Sequence, residues 1–519
     1  MEEKFLDQLE EVLDEEANVS MTEKGALGYA TTCKPLLDLN YAVSSLRNMS
    51  ESEVEKQYAK AFYEDKLLAI KWLFFAADVR GGMGERRLFR VGMLFLAKTE
   101  PALAVKLLPL VAEYTRWDNL LCLLETPVKE QVCELIKTQL NADMGAMKEK
   151  KTVSLCAKWM PSINATSVRS RHYAKMLICA FGMTEKTYRK TLSALRAYLK
   201  VIEVDMSKKA WGAIDYSAVP SRANLLYAEA FLRNDKKRRT EYLEKLEKGE
   251  ETINAGVLYP HDIVHKYTAN SGFWNIKVKP LDPTLEELWK ALPDYVQGQG
   301  DTICVADGSG SMTIGVQGTN VTCLSVANAL AIYFSERSSG PFKDRYITFS
   351  MTPKMVNFSK CKSLHDKIGK ALAHNEAANT NIEAVFDLIL ATAVNNKMKQ
   401  SEMPKNILIL SDMEFDHAVD SNTCGNAFDT SFSRLFEVIA ERYKQYGYLL
   451  PRLVFWNICS RSLTVPLREN KLGVALVSGF SPAIMKMVLS GKLDPYECLL
   501  DQLNTDRYQP VENAVKDLL

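Results

Sequence analysis

From about residue 50 to residue 270, apolar side chains recur every three or four positions, the spacing of one helical face, with caps and short polar breaks between the runs. EKQYAKAFYEDKLLAIKWLFFAADV, GERRLFRVGMLFLAKT and PALAVKLLPLVAEYT predict successive amphipathic helices of about two to five turns. Pro101 stands at a first-turn position, Thr184 is placed to cap EKTYRKTLSALRAYLK, and Ser221 follows Pro220 where RANLLYAEAFL begins. Such a series predicts an array of antiparallel helical pairs, although no strict sequence repeat marks it.

After residue 270 the texture changes. NSGFWNIKVKPLDPTLEELWKALPDYVQGQG is rich in proline and glycine, and beyond it TICVAD, DRYITFS, KNILILSD and RLVFWNI read as short buried strands. VTCLSVANALAIYFSER, TNIEAVFDLILATAVNN and SFSRLFEVIAERYKQYG, each long enough for a helix, lie between them. The alternation predicts βαβ units and a mostly parallel sheet covered on both faces, with the boundary near residue 295. The expected layout is an acidic segment at 1–24, a helical domain at 25–295, an α/β domain at 296–490 and a helical tail at 491–519.

Composition narrows the function classes. At 519 residues, 47% hydrophobic and 25% charged, the chain is ordinary for globular domains. Its eleven cysteines are scattered singly, without a CxxC pair, which fits reduced thiols in the cytoplasm rather than a disulfide framework or zinc ribbon. MEEKFLDQLEEVLDEEA is acidic and unlike a signal peptide, and no run approaches the length of a membrane span. The Asn-x-Ser/Thr triplets at Asn48 and Asn164 are then chance matches. The net charge of +1 hides an imbalance: residues 151–240 hold 18 Lys and Arg against 6 Asp and Glu, a local balance of +12. That band is either a footprint for a polyanion or a set of solvated helix faces.

The candidate chemistry lies at strand ends. TICVAD sets Asp307 at the carboxyl end of a strand, and Gly308 and Gly310 let the following loop curl so that Ser309 and Ser311 turn hydroxyls to one point. NILILSD ends with Asp412, and AANTNIEAVF supplies Thr380 before a helix. Two carboxylates, three hydroxyls and water would give Mg²⁺, or another divalent cation such as Mn²⁺, an all-oxygen shell. DGSGS alone also fits a plain Gly-Ser loop, and Glu414 and Asp416 fit either a tuning role or solvated acids. No nucleophile and base accompany the site, so no enzymatic activity is expected.

Asp-x-Ser-x-Ser, then Thr, then Asp, in this order, resembles the metal-ion-dependent adhesion site of von Willebrand factor A domains. The resemblance implies that Asp307, Ser309, Ser311 and Thr380 line the metal, that Asp412 contacts it directly or through water, and that the metal accepts a carboxylate from a protein partner. A helical array followed by such a domain resembles the TROVE-like, Ro ribonucleoprotein family. AADVRGGMGERRLFR, VPSRANLLYAEAFLRNDKKRRTEYL, LYPHDIV, VADGSGSM, NILILSDMEFD and VFWNI look like blocks of its uncharacterised plant, microbial and viral branch. The implied fold is α plus α/β: HEAT-like helical repeats, open or closed into a ring, followed by a doubly wound, Rossmann-like A domain.

Together these readings give an RNA-binding ribonucleoprotein component that takes single-stranded or structured noncoding RNA, or misfolded RNA. The alternative is a protein-only adaptor in which the helices grip peptides. Candidate RNA contacts are Arg86, Arg87, Arg169, Arg171, His172, Lys175, Lys208, Lys209, Arg222, Lys236, Lys237, Arg238 and Arg239. Tyr173 and Trp211 lie among them as stacking residues or as core. RGGMGERR lacks the Lys-Ser/Thr of a phosphate loop and reads as an interhelical turn that can carry Arg86 and Arg87 to a ligand. LYPHDIVHKY reads as a helix start after Pro260 rather than as a metal site at His261 and His265.

Overall fold

The computed structural model describes residues 18–21, 27–269, 276–297, 301–316, 319, 321–349, 352–374, 382–413, 432–465, 474–485 and 494–519. The chain divides into two compact units, 54–257 with 503–519, and 1–53 with 258–502.

The first unit is helical. The long segment expected around residues 55–79 is two helices, Glu51–Glu64 and Lys66–Ala77, because Asp65 leaves helical geometry and its carboxylate accepts the Leu68 N–H at 2.8 Å. Lys66–Ala77 is not amphipathic: every residue from Ala69 to Ala77 is buried. Pro109 divides the next predicted helix into Pro101–Leu107, a 3₁₀ turn at Leu108–Leu110 and Val111–Tyr114. Thr184 caps Glu185–Tyr198 as expected, accepting the Thr187 N–H at 3.2 Å.

The glycine-rich turn joins Lys66–Ala77 to Arg86–Thr99. A Cβ on Gly82 would lie 1.9 Å from the Phe75 carbonyl oxygen, so the close approach that glycine permits here is to the protein's own backbone. This turn also receives the end of the chain. Asp78, with no exposed surface, accepts the Arg80 N–H at 2.9 Å, Arg507 Nη2 at 2.8 Å and the Tyr508 hydroxyl at 3.2 Å. Arg507 Nε completes a two-pronged pair, and the Tyr114 and Tyr508 rings stack 5.8 Å apart. Lys71, 2% exposed, donates to Asn504 at 2.7 Å and Glu512 at 2.9 Å.

The second unit is built on a six-stranded sheet in the order Val474–Ser478, Arg452–Asn457, Asn406–Ser411, Thr302–Asp307, Arg345–Phe349 and Met355–Asn357. All neighbours are parallel except the last pair. The four predicted strands are present; the antiparallel edge strand Met355–Asn357 and Val474–Ser478 were not expected. Alternate side chains face opposite sides. Ile303, Val305, Ile407, Ile409, Leu453 and Phe455 share a core with Val385, Phe386 and Leu390 of helix Ile382–Asn395 and with Ile439 and Tyr443 of helix Phe432–Gln445. Helix Cys323–Arg337, buried on every side from Cys323 to Ser335, covers the other face, where Phe334 and Trp456 meet at 5.4 Å.

This unit begins well before the expected boundary near 295. Helix Pro283–Lys290 belongs to it because Trp289 meets Tyr333 at 6.3 Å and donates to Glu336 at 2.8 Å, while Arg337 donates to the Trp289 carbonyl at 3.0 Å. Nor is the C-terminal tail a separate element, since 503–519 packs in the helical unit.

Arg507→Ala leaves buried Asp78 without its half-buried charged partner and should lower stability by about 3 kcal/mol. Lys66→Ala, which opens the exposed Lys66–Glu100 pair, should change it by less than about 0.5 kcal/mol. Urea unfolding followed by circular dichroism compares them, and equal midpoints would refute the role given to Arg507.

Candidate functional site

The order of the strands puts a topological switch point where the sequence reading placed its chemistry. After Thr302–Asp307 the chain adds Arg345–Phe349 on one side and later Asn406–Ser411 on the other, so the carboxyl ends of two central strands flank a topological switch point. Asp307 and Asp412 occupy those ends and are 1% and 2% exposed. The Asp307 carboxylate accepts the Ser411 hydroxyl at 2.6 Å and the Ser309 N–H at 2.9 Å. Ser309 Oγ and Ser311 Oγ lie 2.9 Å apart, so their hydroxyls do converge. Beyond Asp412 the backbone turns sharply: Met413 is held at φ 60° and its N–H reaches Ser411 Oγ at 3.1 Å.

Ser411 was missed by sequence reasoning, although a serine preceding the aspartate at a strand end was a readable signal. Arg461 was missed as well: its Nη2 stands 3.9 Å from Asp412 Oδ2. Thr380, Glu414 and Asp416 lie outside the described residues. The donors that are described, Asp307, Ser309, Ser311 and Asp412, are all oxygen and suit a hard cation such as Mg²⁺. Arg461 already lends positive charge to Asp412.

Beside Asp412 lies a pair of buried thiols. Cys323 opens helix Cys323–Arg337, and Cys459 lies two residues past strand Arg452–Asn457. They are 1% and 3% exposed. Ser44 places a third group there: it takes a hydrogen bond from Ser478 Oγ at 3.0 Å and donates to the Asn457 carbonyl at 3.0 Å, which fixes the chain leading to Arg47 and Asn48. Asn48 Nδ2 donates to Cys459 Sγ at 3.2 Å, and the Arg47 guanidinium stacks 3.7 Å from the Phe480 ring. The influence of Cys323, with Asn48, Arg47 and Arg461, lowers the Cys459 pKa against the opposing effect of burial. Cys459, burial and the charge of Asp412 raise that of Cys323.

The candidate RNA contacts all fall in the helical unit, in different states. Arg86 is half-buried and bound to Asp118 at 2.7 Å and Asn119 at 3.1 Å, and Arg87 is half-buried. Arg171 caps the preceding loop through the Ala165 and Thr166 carbonyls, at 2.7 and 2.8 Å. Exposed Arg169 is folded onto buried Tyr173, 2.8 Å from its hydroxyl, and exposed His172 meets Glu125 at 3.2 Å. Arg239 is a correction to the sequence reading. Its guanidinium is wholly buried, 4.9, 5.3 and 5.2 Å from the rings of Tyr216, Phe231 and Tyr242, because helix Lys236–Glu247 turns that position into its aromatic core. Half-buried Trp211 packs edge-on to Phe231.

The remaining residues form the exposed set. Arg238 donates to the Trp211 and Ile214 carbonyls at 3.1 and 2.8 Å, which docks the Lys236–Lys237 start of one helix on the segment that follows Lys208 and Lys209. Lys175, Lys208, Lys209, Lys236 and Lys237 are exposed and have no ion-pair partner among the described residues; Arg222 is exposed too. Lys186, Arg189 and Lys190, exposed on helix Glu185–Tyr198, extend the set beyond the sequence-derived candidates. His261 is buried after the Pro260 helix start, where Asp262 accepts the Tyr259 N–H at 3.0 Å, and burial lowers the pKa of His265. Among the described residues no helix is long and apolar enough to cross a membrane.

Residues 301–516 match a family described as Domain of unknown function (DUF7788), and residues 169–301 match Domain of unknown function (DUF2828). The chain is 29% identical over 541 residues to an uncharacterized protein of Acanthamoeba polyphaga mimivirus, covering 95% of this chain and 89% of that one. This viral relative fits the viral branch indicated by the sequence blocks. Among solved structures the chain is similar to the crystal structure of Deinococcus radiodurans RO (RSR) protein, with 16% identity, a TM-score of 0.42, and coverage of 82% of this chain and 92% of that one.

Arg239→Ala empties the aromatic cage and should destabilise the helical unit by about 3 kcal/mol, the order expected for truncating a large buried side chain. Lys237→Ala, one position away on the surface, should leave the thermal midpoint within about 1 °C. A midpoint equally unaffected by both changes would remove Arg239 from the core.

Proposed function

We propose that this protein is a binding component rather than an enzyme: it takes RNA on the helical unit and a protein partner at the switch point of the α/β unit. The observation that carries the first half is the lysine cluster at Lys208, Lys209, Lys236 and Lys237, exposed and assembled around the Arg238 contact. Within a band of local charge +12, such lysines supply point charges that follow a phosphate backbone. Arg169, His172 and Lys175 on helix Val168–Phe181 and Arg222 on helix Ser221–Asn234 are the outlying contacts. The Ro-like kinship drawn from the sequence blocks, with noncoding or misfolded RNA as client, is consistent with this surface.

In the α/β unit, the reading is a von Willebrand A-like adhesion site. Asp307, Ser309, Ser311 and Asp412 would hold Mg²⁺, and the metal, when bound, supplies a coordination position for a carboxylate of the partner. Ser411 orients the Asp307 carboxylate, and the 2.9 Å contact between Ser309 and Ser311 keeps both hydroxyls at one point. Arg461 shares the charge of Asp412 and so favours a site whose metal affinity is moderate.

Replacing Lys208, Lys209, Lys236 and Lys237 together by Glu should weaken RNA binding and reduce the slope of log affinity against log salt by about 3, at about 0.7 per lost single-strand phosphate contact. Filter binding at several salt concentrations measures it, and an unchanged slope with a folded variant would leave the adaptor reading in its place.

Titration calorimetry with Mg²⁺ and Mn²⁺ tests the metal. Binding should be lost in Ser309→Ala and in Asp307→Ala. Equal heats in wild type and both variants would mean that this site holds no cation.

A further inference from the structure

The helical unit carries, apart from the lysine cluster, a place where two planar groups are stacked. The Arg116 guanidinium lies over the ring of half-buried Trp159, 3.9 Å from its centroid, and Lys158 Nζ lies 5.5 Å from the same ring. Arg116 also donates to the Asp118 carboxylate, through Nε at 3.0 Å and Nη2 at 2.6 Å, yet its side chain keeps 35% exposure. With one face on Trp159 and one edge on Asp118, the guanidinium meets solvent through its opposite face and through Nη1, which makes no hydrogen bond among the described residues. We propose that an unpaired nucleobase of single-stranded RNA stacks on the outer face of Arg116, with Trp159 as the layer beneath. The inference rests on the RNA reading above and names the form of the RNA, a strand whose bases are free of pairing.

Both layers are fixed before a ligand arrives. Trp159 ends the short helix Cys156–Trp159, and Arg196 on helix Glu185–Tyr198 donates to the carbonyls that flank it, Ala157 at 2.9 Å and Met160 at 2.7 Å. Ser154 Oγ donates to buried Asp143 at 2.6 Å and accepts the Cys156 N–H at 3.1 Å, which sets the start of the same helix. On the other side Arg116 precedes the 3₁₀ segment Trp117–Glu125, and Asp118 within that segment is held a second time by Arg86 Nη2 at 2.7 Å. Arg86 therefore acts here through Asp118. A platform whose side chains are already ordered loses little conformational freedom when a base settles on it.

The chemistry suits a nucleic acid strand. Three cations, Arg116, Lys158 and Arg86, stand against one carboxylate, so the surface keeps positive charge for the phosphates on either side of the stacked base. Every base has a π face, which makes such a platform tolerant of base identity. A base inside a duplex is stacked between its neighbours and has no face to offer, so the platform selects single strands. The lysine cluster supplies point charges for the backbone, and Arg116 on Trp159 supplies the plane that lysines lack.

The test compares a short oligouridylate, whose bases stack weakly on one another, with an abasic ribose-phosphate strand of equal length, by fluorescence anisotropy with the full-length protein. Wild type should bind the base-bearing strand at least about fivefold more tightly, the lower end for one base on an aromatic platform. Arg116→Lys keeps the charge and leaves Asp118 paired to Arg86, so it should lose that preference while its affinity for the abasic strand and its salt slope stay unchanged. A strand carrying 5-iodouridine, cross-linked to wild type by light and mapped by mass spectrometry, should mark the segments that hold Arg116 and Trp159, a readout that needs no variant. Equal binding of the two strands by wild type would overturn this site and leave the phosphate reading standing, whereas binding of neither would overturn both. A base preference retained in Arg116→Lys, or cross-links confined to other segments, would reduce the Arg116–Trp159 contact to a structural one.

Discussion

A carboxylate taken out of water must be met by donors or by positive charge, and the three most deeply buried aspartates among the described residues show that condition at work. Asp78, Asp307 and Asp412 are 0, 1 and 2% exposed. Asp78 is closed off by the Arg507 guanidinium, the Tyr508 hydroxyl and a backbone N–H, and serves to fasten the end of the chain. Asp307 is held by a serine hydroxyl and an amide N–H, donors that orient its charge without neutralising it. Asp412 stands between the two cases, facing Arg461 at a distance that leaves the pair loose. The same residue type is neutralised, merely oriented or loosely paired according to what meets it.

The sheet explains why two of the three lie together. Its central strands are covered on both faces, which pushes polar chemistry out to the strand ends. The reversal of strand order then puts the switch point at the ends of Thr302–Asp307 and Asn406–Ser411. Periodicity and the short motif DGSGS were enough to place Asp307, Ser309, Ser311 and Asp412 from sequence, because strand, turn and side chain are neighbours along the chain. Four of the sheet's strands were legible for the same reason. Val474–Ser478 was not, although Gly473 and Gly479 bracket its apolar run in the sequence.

What escaped the sequence is what the chain brings together over long distances. Arg507 meets Asp78 across 429 residues, and Asn48 meets Cys459 across 411. No local pattern announces such partners. The division into units has the same origin: 1–53 and 258–502 share one body, 54–257 and 503–519 the other, so a reading that assumes one stretch per domain misplaces both the boundary and the tail. Lys66–Ala77 misled in another way. A lysine at position 71 suggests a solvated face, but its ammonium is spent on Asn504 and Glu512.

The basic residues of the helical unit divide by chemistry. Arg86, Arg171, Arg196 and Arg238 donate to carbonyls or carboxylates of their own unit, Arg169 lies on Tyr173, and Arg239 sits inside an aromatic cage. Planar guanidinium groups with several donors are suited to such internal bridging, whereas an ammonium on a flexible stem is easily left in water. The exposed positive charge therefore falls more to lysine than to arginine, with Arg189, Arg222 and Arg233 among the exposed arginines left to solvent or to lighter contacts. A lysine surface attracts phosphates as point charges and lacks the forked donors that read guanine edges in pairs. Recognition by this face would depend on the path and spacing of the phosphates and the salt around them, and much less on base identity.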